Sequence, residues 1–395
     1  MRTVPLKRIV GVNLHTLPET TEPGFEFRYL DIGAVGRGQL NSEPEATVFA
    51  SAPSRARRLV RQGDTIISTV RTYLRAVWPV RASATDLVVS TGFAVLTPTR
   101  SIDSRYLGWL VQSDVVVEEV VARSVGVSYP AINPSDIGTV RVPLPPLAHQ
   151  RAIADYLDRE TARIDALIEK KRQMVRALEL RLGVLAHDLT TATGREVPLR
   201  RVILQIKTGT TPPADQMERL RDGSLPWYSP GDVGDWLELQ EPSRTLDREA
   251  VAQGWVPRFA ANSTLIVGIG ATAGSVAHLD CDGSGNQQMT CLVPGPRILP
   301  RFLSWQLFSR TEELRATAPF TTLPILNNDF LKAASLFIPT IEEQAAIVGR
   351  LDELAKEMQR VVQLLERQVE LLLEHRQALI TAAVTGELDV AGVAA

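Results

Sequence analysis

A chain of 395 residues, 44% apolar and 22% charged, has the make-up of a water-exposed globular protein of two or three domains. No run of about eighteen apolar residues occurs, which argues against a membrane-spanning helix, and the opening MRTVPLKRIVGVNLHTLPE has no apolar core of signal-peptide length. Two cysteines, Cys281 and Cys291, beside five scattered histidines exclude a disulfide framework and a structural metal, and point to the reducing cytoplasm.

The net charge of −2 looks wrong for a nucleic-acid binder until it is divided along the chain. Residues 1–146 carry 16 basic and 13 acidic side chains, 147–194 carry 8 and 7, 195–341 carry 14 and 15, and 342–395 carry 5 and 10. Fields act locally and are screened within about 8–10 Å, so the molecule is polarised. Its acidic last section is expected to face something other than DNA.

In chain order, GDTIISTV and LVVSTGFAVLTP read as strands, and RYLGWLVQSD, from Arg105, as a short helix. A proline-rich segment then leads into a long helix, with Ile153, Leu157, Ile164, Ile168, Val175, Leu178, Leu182, Leu185 and Leu189 at steps of three, four or their sum. The same series returns in the second half. STLIVGIG and QMTCLVP read as strands, RFLSWQLFSR as a helix, and Ile347, Leu351, Leu354, Met358, Val361, Leu365, Val369, Leu372 and Leu379 form a second periodic run. Sustained 3–4 spacing makes a narrow apolar seam that needs a partner helix. Roughly forty residues at 1.5 Å each give a rod of about 60 Å. Gly194 and Gly386, each after a threonine, sit where a C-terminal cap belongs.

The two halves are copies of one unit. Pro-x-x-x-x-Gln-x-Ala-Ile-x-x-x-Leu-Asp runs from Pro145 to Asp158 and again from Pro339 to Asp352. VPLKRIV at Val4 returns as VPLRRVI at Val197, GAVG at Gly33 as GDVG at Gly231, and YPAIN ending at Asn133 as LPILN ending at Asn327. The landmarks keep their order, which a chance likeness of helices would not do. The expected fold is α+β: two similar α/β domains related by pseudo-two-fold symmetry, each followed by a long helix, with the helices pairing as an antiparallel coiled coil. The expected boundaries are 1–146 for the first domain, 147–194 for its helix, 195–341 for the second domain, 342–389 for its helix, and 390–395 for a tail.

Catalytic motifs are missing. GIGATAG and GAVGRG do not fit a dinucleotide fingerprint, and no phosphate-loop motif, His-Glu-x-x-His or G-x-S-x-G elbow occurs. TPPA (Thr211–Ala214) lacks the aromatic residue of an amino-methyltransferase motif. The helix carboxylates read as solvated coiled-coil flanks, so no catalytic residue is assigned.

Binding chemistry is present. SRARRLVRQGDTIISTVRTYLRA places Arg55, Arg57, Arg58, Arg61, Arg71 and Arg75 in one segment with Tyr73, and Asp64 is its only acid. Arginine forks clamp phosphate or read guanine, and an aromatic packs on sugar or base. A solvated edge strand with independent surface arginines is the plainer alternative. In the second half, Lys207, Thr208, Gly209, Thr210 and Thr211 form a small hydroxyl-and-glycine loop suited to close approach by phosphate, or simply a turn. Thr272 lies in GATAG, and Gln287 and Gln288 offer amides that can pair with adenine, although amides are also ordinary loop residues.

Taken together, the repeated helix entry with its Thr-Gly exit, GDTIISTVRTYLRAVW, and STLIVGIGATAGSVAHL followed by NQQMTCLVP resemble the specificity subunit of type I restriction–modification systems over nearly the whole chain. The resemblance implies a non-catalytic subunit with two target-recognition domains, each reading one half of a bipartite, asymmetric double-stranded DNA target. The helix pair would set the spacing between the halves and dock two methylation subunits, and restriction/translocation subunits would join them. No cofactor is expected in this chain. S-adenosylmethionine, ATP and Mg are expected on the partners, in the cytoplasm and without a membrane. The two halves differ where contact is expected, since VRTYLRA stands where the second copy has IGATAGS. Unrelated half-sites follow. The alternative is a stand-alone bipartite DNA-binding regulator or architectural protein.

Overall fold

The computed structural model describes residues 2–81, 86–217, 220–234, 236–319 and 323–390. The chain divides into two units, one of Met1–Lys170 with Gln368–Ala395 and the other of Lys171–Arg367. Both long helices, Leu147–Thr191 and Ile341–Thr385, cross this division. Each unit therefore holds the start of one helix and the end of the other.

In the first unit, a four-stranded antiparallel sheet runs in the order Val10–Val12, Phe93–Pro98, Thr65–Ser68, Val77–Pro79. Thr65–Ser68 is buried along its whole length, as a central strand covered on both faces must be. A second four-stranded sheet runs Glu45–Val48, Glu26–Leu30, Leu87–Ser90, Ala56–Leu59, and its middle pair is parallel. Helix Ser104–Gln112 begins at Asp103, whose carboxylate accepts the backbone N–H groups of Arg105 and Tyr106, and it buries Tyr106, Leu107, Trp109, Leu110 and Val111. Strand Thr3–Pro5 pairs with Arg141–Pro143 and closes the domain just before the long helix.

The second unit repeats the first sheet strand for strand. Its order is Ile203–Thr208, Met289–Pro294, Ser263–Val267, Val276–Leu279, again antiparallel. Arg195–Pro198 pairs with Ser335–Ile338 as Thr3–Pro5 does with Arg141–Pro143. Divergence lies in the other sheet, which has three strands: Thr245–Leu246, Arg221–Tyr228 and Ser284–Gly285.

The repeated sequence motif is a fastening between helix and domain. Gln150 is buried; its Oε1 accepts the backbone N–H of Asp103 at 2.8 Å, and its Nε2 donates to Pro145 O at 2.8 Å and Ser101 O at 3.2 Å. Gln344 does the same with Leu299 N at 2.7 Å and the carbonyls of Arg297 and Pro339 at 3.0 Å each. Two turns on, Asp158 accepts the Trp109 indole N–H at 3.0 Å and Arg105 at 3.1 Å. Asp352 likewise accepts Trp305 and Arg301, each at 2.8 Å. The buried amides and half-buried carboxylates are tolerable because their partners are supplied. The spacing Pro, Gln, Leu, Asp is thus fixed by what each side chain must reach.

Within the first unit the helix segments run antiparallel. Ile153 and Ala383 line one cavity, while Asp165 pairs with Arg376 at 2.9 Å, so positions rise on one helix as they fall on the other. Ile153, Leu157, Ile164 and Ile168 are buried, Val369, Leu372 and Leu379 are half-buried, and Ile380 is fully buried. In the second unit, Leu182, Ala186, Leu351 and Ala355 share one core, with Leu189, Ile347 and Met358 packed against it. Val175, Leu178, Leu185 and Leu354 are half-buried, and Leu365 is buried. The periodic reading goes wrong at Val361, which is 42% exposed while Val362 is 5% exposed. From Leu351 the seam steps through Ala355, Met358, Val362 and Leu365, and a residue one place away is turned about 100° off it.

The first long helix ends at Thr191, before Gly194, whose φ is 101° and where a Cβ would lie 2.5 Å from Pro339 N. Only glycine suits that crowded left-handed position. Of the expected tail, Val390 is buried in the first unit's core and 391–395 lie outside the described residues.

Candidate nucleic-acid interface

The two copies of the antiparallel sheet carry the same loop. In the first unit it joins Thr65–Ser68 to Val77–Pro79, with Ser68 N–H donating to Ala76 O at 2.9 Å. In the second it joins Ser263–Val267 to Val276–Leu279, with Val267 N–H donating to Ser275 O at 2.9 Å. A second segment lies alongside each loop. Ile132 N–H donates to Thr69 O at 2.9 Å, and its counterpart Leu326 N–H donates to Gly268 O at 2.8 Å.

The frame is shared, but the residues in it are not. Both ends of the loop are left-handed in both copies, at Arg71 (φ 51°) and Arg75 (φ 52°) in one and at Gly270 (φ 119°) and Gly274 (φ 90°) in the other. Glycine takes this conformation freely, whereas a side chain costs roughly 1–2 kcal/mol there. Strain of this kind collects at functional positions. The first unit keeps two arginines where the frame calls for glycine.

The arginine loop is anchored from below. Thr72 is buried and its hydroxyl donates to Ser124 Oγ at 2.8 Å, and Arg75 pairs with Glu118 at 2.9 Å. Arg71 projects outward, with its guanidinium 5.1 Å from the ring centre of Tyr129. Tyr73 is 54% exposed, Leu74 43% and Tyr129 67%. Tyr129 reads in the sequence only as part of the YPAIN repeat landmark, and nothing there signals that it joins this tip.

The remaining predicted arginines do not gather into one patch. Arg55 pairs with Asp31 at 2.9 Å, Arg57 lies over Phe49 at 4.5 Å, and Arg58 donates to Thr16 Oγ1 at 3.2 Å. Arg57 falls at a register shift between Ala56 and Arg58 on strand Ala56–Leu59, where regular pairing is interrupted. Arg61 sits in the turn before Thr65–Ser68, at the other end of that strand from Arg71, and its backbone N–H binds Asp64. Burial raises the Asp64 carboxyl above its ordinary value, while the Arg61 N–H works in the opposite direction. Asp64 braces the turn.

In the second unit the predicted residues do converge. Gly209 N–H donates to Met289 O at 2.8 Å and Thr210 N–H to Gly285 O at 3.0 Å, which lays 207–211 along 285–289. A Cβ on Gly209 would meet the carbonyl oxygens of Gly285 and Asn286 at 2.2 Å, so the approach requires glycine. Thr211 Oγ1 donates to Gln287 Oε1 at 2.6 Å, Thr208 Oγ1 to Asn328 Oδ1 at 3.3 Å, and Lys207 Nζ to Arg258 O at 3.2 Å. Gln288 Nε2 donates to Ile269 O at 3.3 Å, next to the loop that holds Thr272. Apart from Lys207, this is an amide-and-hydroxyl surface, unlike the arginine-bearing tip of the first unit. Asn286 and Asn328 belong to it and escape sequence reasoning because single loop amides carry no pattern.

Among the described residues no group of three or more His, Cys, Asp or Glu side chains is placed to hold a metal, and no helix is long and apolar enough to cross a membrane. His278 is buried, 3.0 Å from Ser304 Oγ, which in turn lies 2.8 Å from Thr264 Oγ1. With all three side chains closed off from solvent, this is a core network.

Residues 57–177 and 202–367 each match the model of the type I restriction modification DNA specificity domain. The chain is 29% identical over 168 residues to the type I restriction enzyme EcoR124I/EcoR124II specificity subunit of Escherichia coli, covering 41% of each protein. It is 22% identical over 166 residues to the MjaIX specificity subunit of Methanocaldococcus jannaschii, covering 40% of this chain and 38% of that one. The matched stretches thus span about two fifths of these relatives' lengths. A solved structure described as the structural basis of complex assembly and conformational transition of the type I R-M system superposes with a TM-score of 0.72, at 24% identity and 98% coverage of both chains. That likeness establishes the fold. With two copies of the domain covering most of its length, the chain belongs to the type I restriction–modification DNA specificity family.

Proposed function

We propose that this chain is the sequence-specificity subunit of a type I restriction–modification assembly and reads a bipartite, asymmetric duplex, one half-site per unit. The observation that carries the reading is the shared loop frame with different contents, Arg71, Tyr73 and Arg75 in one copy and Gly270, Thr272 and Gly274 in the other. Equal frames let both halves meet DNA in the same manner, and unequal side chains give them different targets. Base-edge and phosphate contacts in the first unit fall to Arg71 and its neighbours. Amide readout in the second falls to Gln287 and Gln288.

Recognition is this chain's share of the work. Methylation with S-adenosylmethionine belongs to two methylation subunits, and ATP- and Mg-dependent translocation and cleavage belong to restriction subunits, all in the cytoplasm. The long helices act as spacer and docking rod, which suits the acidic section 342–395, since a rod of that charge favours a protein cover over DNA.

Co-expression with the methylation subunit and mapping of methylated positions in host DNA tests the proposal. Two unrelated half-sites at fixed spacing are expected, and exchanging residues 1–140 for another recognition domain should change one half alone. A change in both halves, or failure of the methylation subunit to co-purify, would contradict it. Removing about one heptad from both helices in register should shorten the spacer and leave both half-sites intact.

A further inference from the structure

The tip of the first unit has a composition that phosphate and base-edge contacts leave unexplained. Tyr73 and Leu74 stand at the crest of the arginine loop, and beside them the segment 125–131 shows Val125 at 80% exposure, Val127 at 102% and Tyr129 at 67%. Five large apolar or aromatic side chains in two adjoining loops make a patch that water disfavours. The loops are tied to each other by a Val70–Ala131 bridge and by Thr72 to Ser124, so the patch is held out on a braced support. Arg71 stands in its midst, stacked on Tyr129.

We infer that this tip is a wedge that enters the duplex at one base step of the half-site read by the first unit, with Leu74 and Tyr73 opening the stack and Arg71 holding the adjoining phosphate or groove edge. The inference rests on the proposed function and extends it to how one half-site is deformed. Apolar side chains inserted at a step unstack it and kink the duplex, which lets sequence be read through the ease of deformation. An aromatic residue beside the opened step supplies a surface for the freed base. A duplex is favoured over a protein partner because the apolar crest carries a cation in a strained conformation, and both loops lie within the DNA specificity domain match at 57–177. The equivalent positions in the second unit are Thr272 and Ala273, too short to enter a stack. Only one half of the target is therefore opened.

The test uses the full chain co-purified with its methylation subunit and duplexes of the mapped target. Each duplex carries 2-aminopurine at one position of either half-site other than the methylated adenine. Bound assembly should raise the emission at one step in the half that changes when residues 1–140 are exchanged, and at none in the other half. Tyr73→Ala and Leu74→Ala, both at exposed positions, should abolish that rise and weaken specific binding on the order of tenfold, the size of one lost stacking contact. Selective binding with no rise at any position, or a rise that survives both substitutions, overturns the wedge. So does loss of the methylation subunit from either variant, which would make the tip a protein-docking element. An assembly with no sequence preference would overturn the functional reading, and the wedge with it.

Discussion

Arg71 and Gly270 hold the same place in two copies of one loop, both with left-handed backbone, φ 51° and 119°. The first unit thus bears a conformational cost that the second avoids. Arg71→Gly removes the side-chain penalty of roughly 1–2 kcal/mol but gives the unfolded chain more freedom, which takes back about half of it. Stability should stay within about 1 kcal/mol of the parent, as read by urea unfolding. Affinity for the specific duplex should fall about tenfold or more, the range of one lost arginine contact, as read by competition binding. Unchanged affinity would assign Arg71 to the fold alone.

The buried amide of Gln150 supports three backbone groups, those of Asp103, Pro145 and Ser101. Gln150→Ala strands them away from water, and at about 1–3 kcal/mol for each unsatisfied group, partly relieved by entering water, a loss on the order of 3 kcal/mol is expected. Gln344→Ala should cost a similar amount, because its three bonds are equivalent. Denaturant unfolding of the two variants checks this, and a loss under about 1 kcal/mol would show that the fastening is dispensable.

His278 gives the second unit a dependence on pH. Burial lowers its pKa below the ordinary 6.5, Arg301 acts in the same direction, and Asp280 and Asp352 oppose. The folded state therefore binds the proton less readily than the unfolded state. Stability from this group is complete above the unfolded value of about 6.5 and falls as pH drops toward the folded value. Melting temperature measured from pH 7.5 down to 5.5 should decline, and His278→Gln should flatten that part of the decline. Equal slopes in both proteins would remove His278 as its source.

The architecture was legible because the chain states it twice. Apolar positions at 3–4 spacing, and the proline, glutamine and aspartate that fasten each helix, leave one pattern for periodicity to find. Periodicity fails at Val361, where two adjacent valines both fit a helical repeat and only packing chooses Val362. The proposed contact surface was less legible. Arg55 to Arg75 are close in sequence, but strand Thr65–Ser68 carries Arg61 and Arg71 to opposite ends, and a register shift in Ala56–Leu59 leaves Arg57 and Arg58 with separate partners, Phe49 and Thr16. Tyr129 reaches the tip through a contact between loops more than fifty positions apart, a distance over which no local pattern speaks. The left-handed arginines could not be foreseen, since composition predicts glycine at such turns.

The division of the chain also sets the order in which it can become stable during synthesis. The second unit is one continuous stretch, Lys171–Arg367, but the first is finished only by Gln368–Ala395, which is made after the whole of the second. Ile380, Ala383, Val384 and Val390 complete a core whose other walls, from Val4 to Leu157, were made first. Until they arrive, Ile153 and Leu157 present an uncovered apolar stripe. Of the two recognition modules, the one translated earlier is thus sealed later, and a product cut short before Gln368 would carry a sticky, unfinished half.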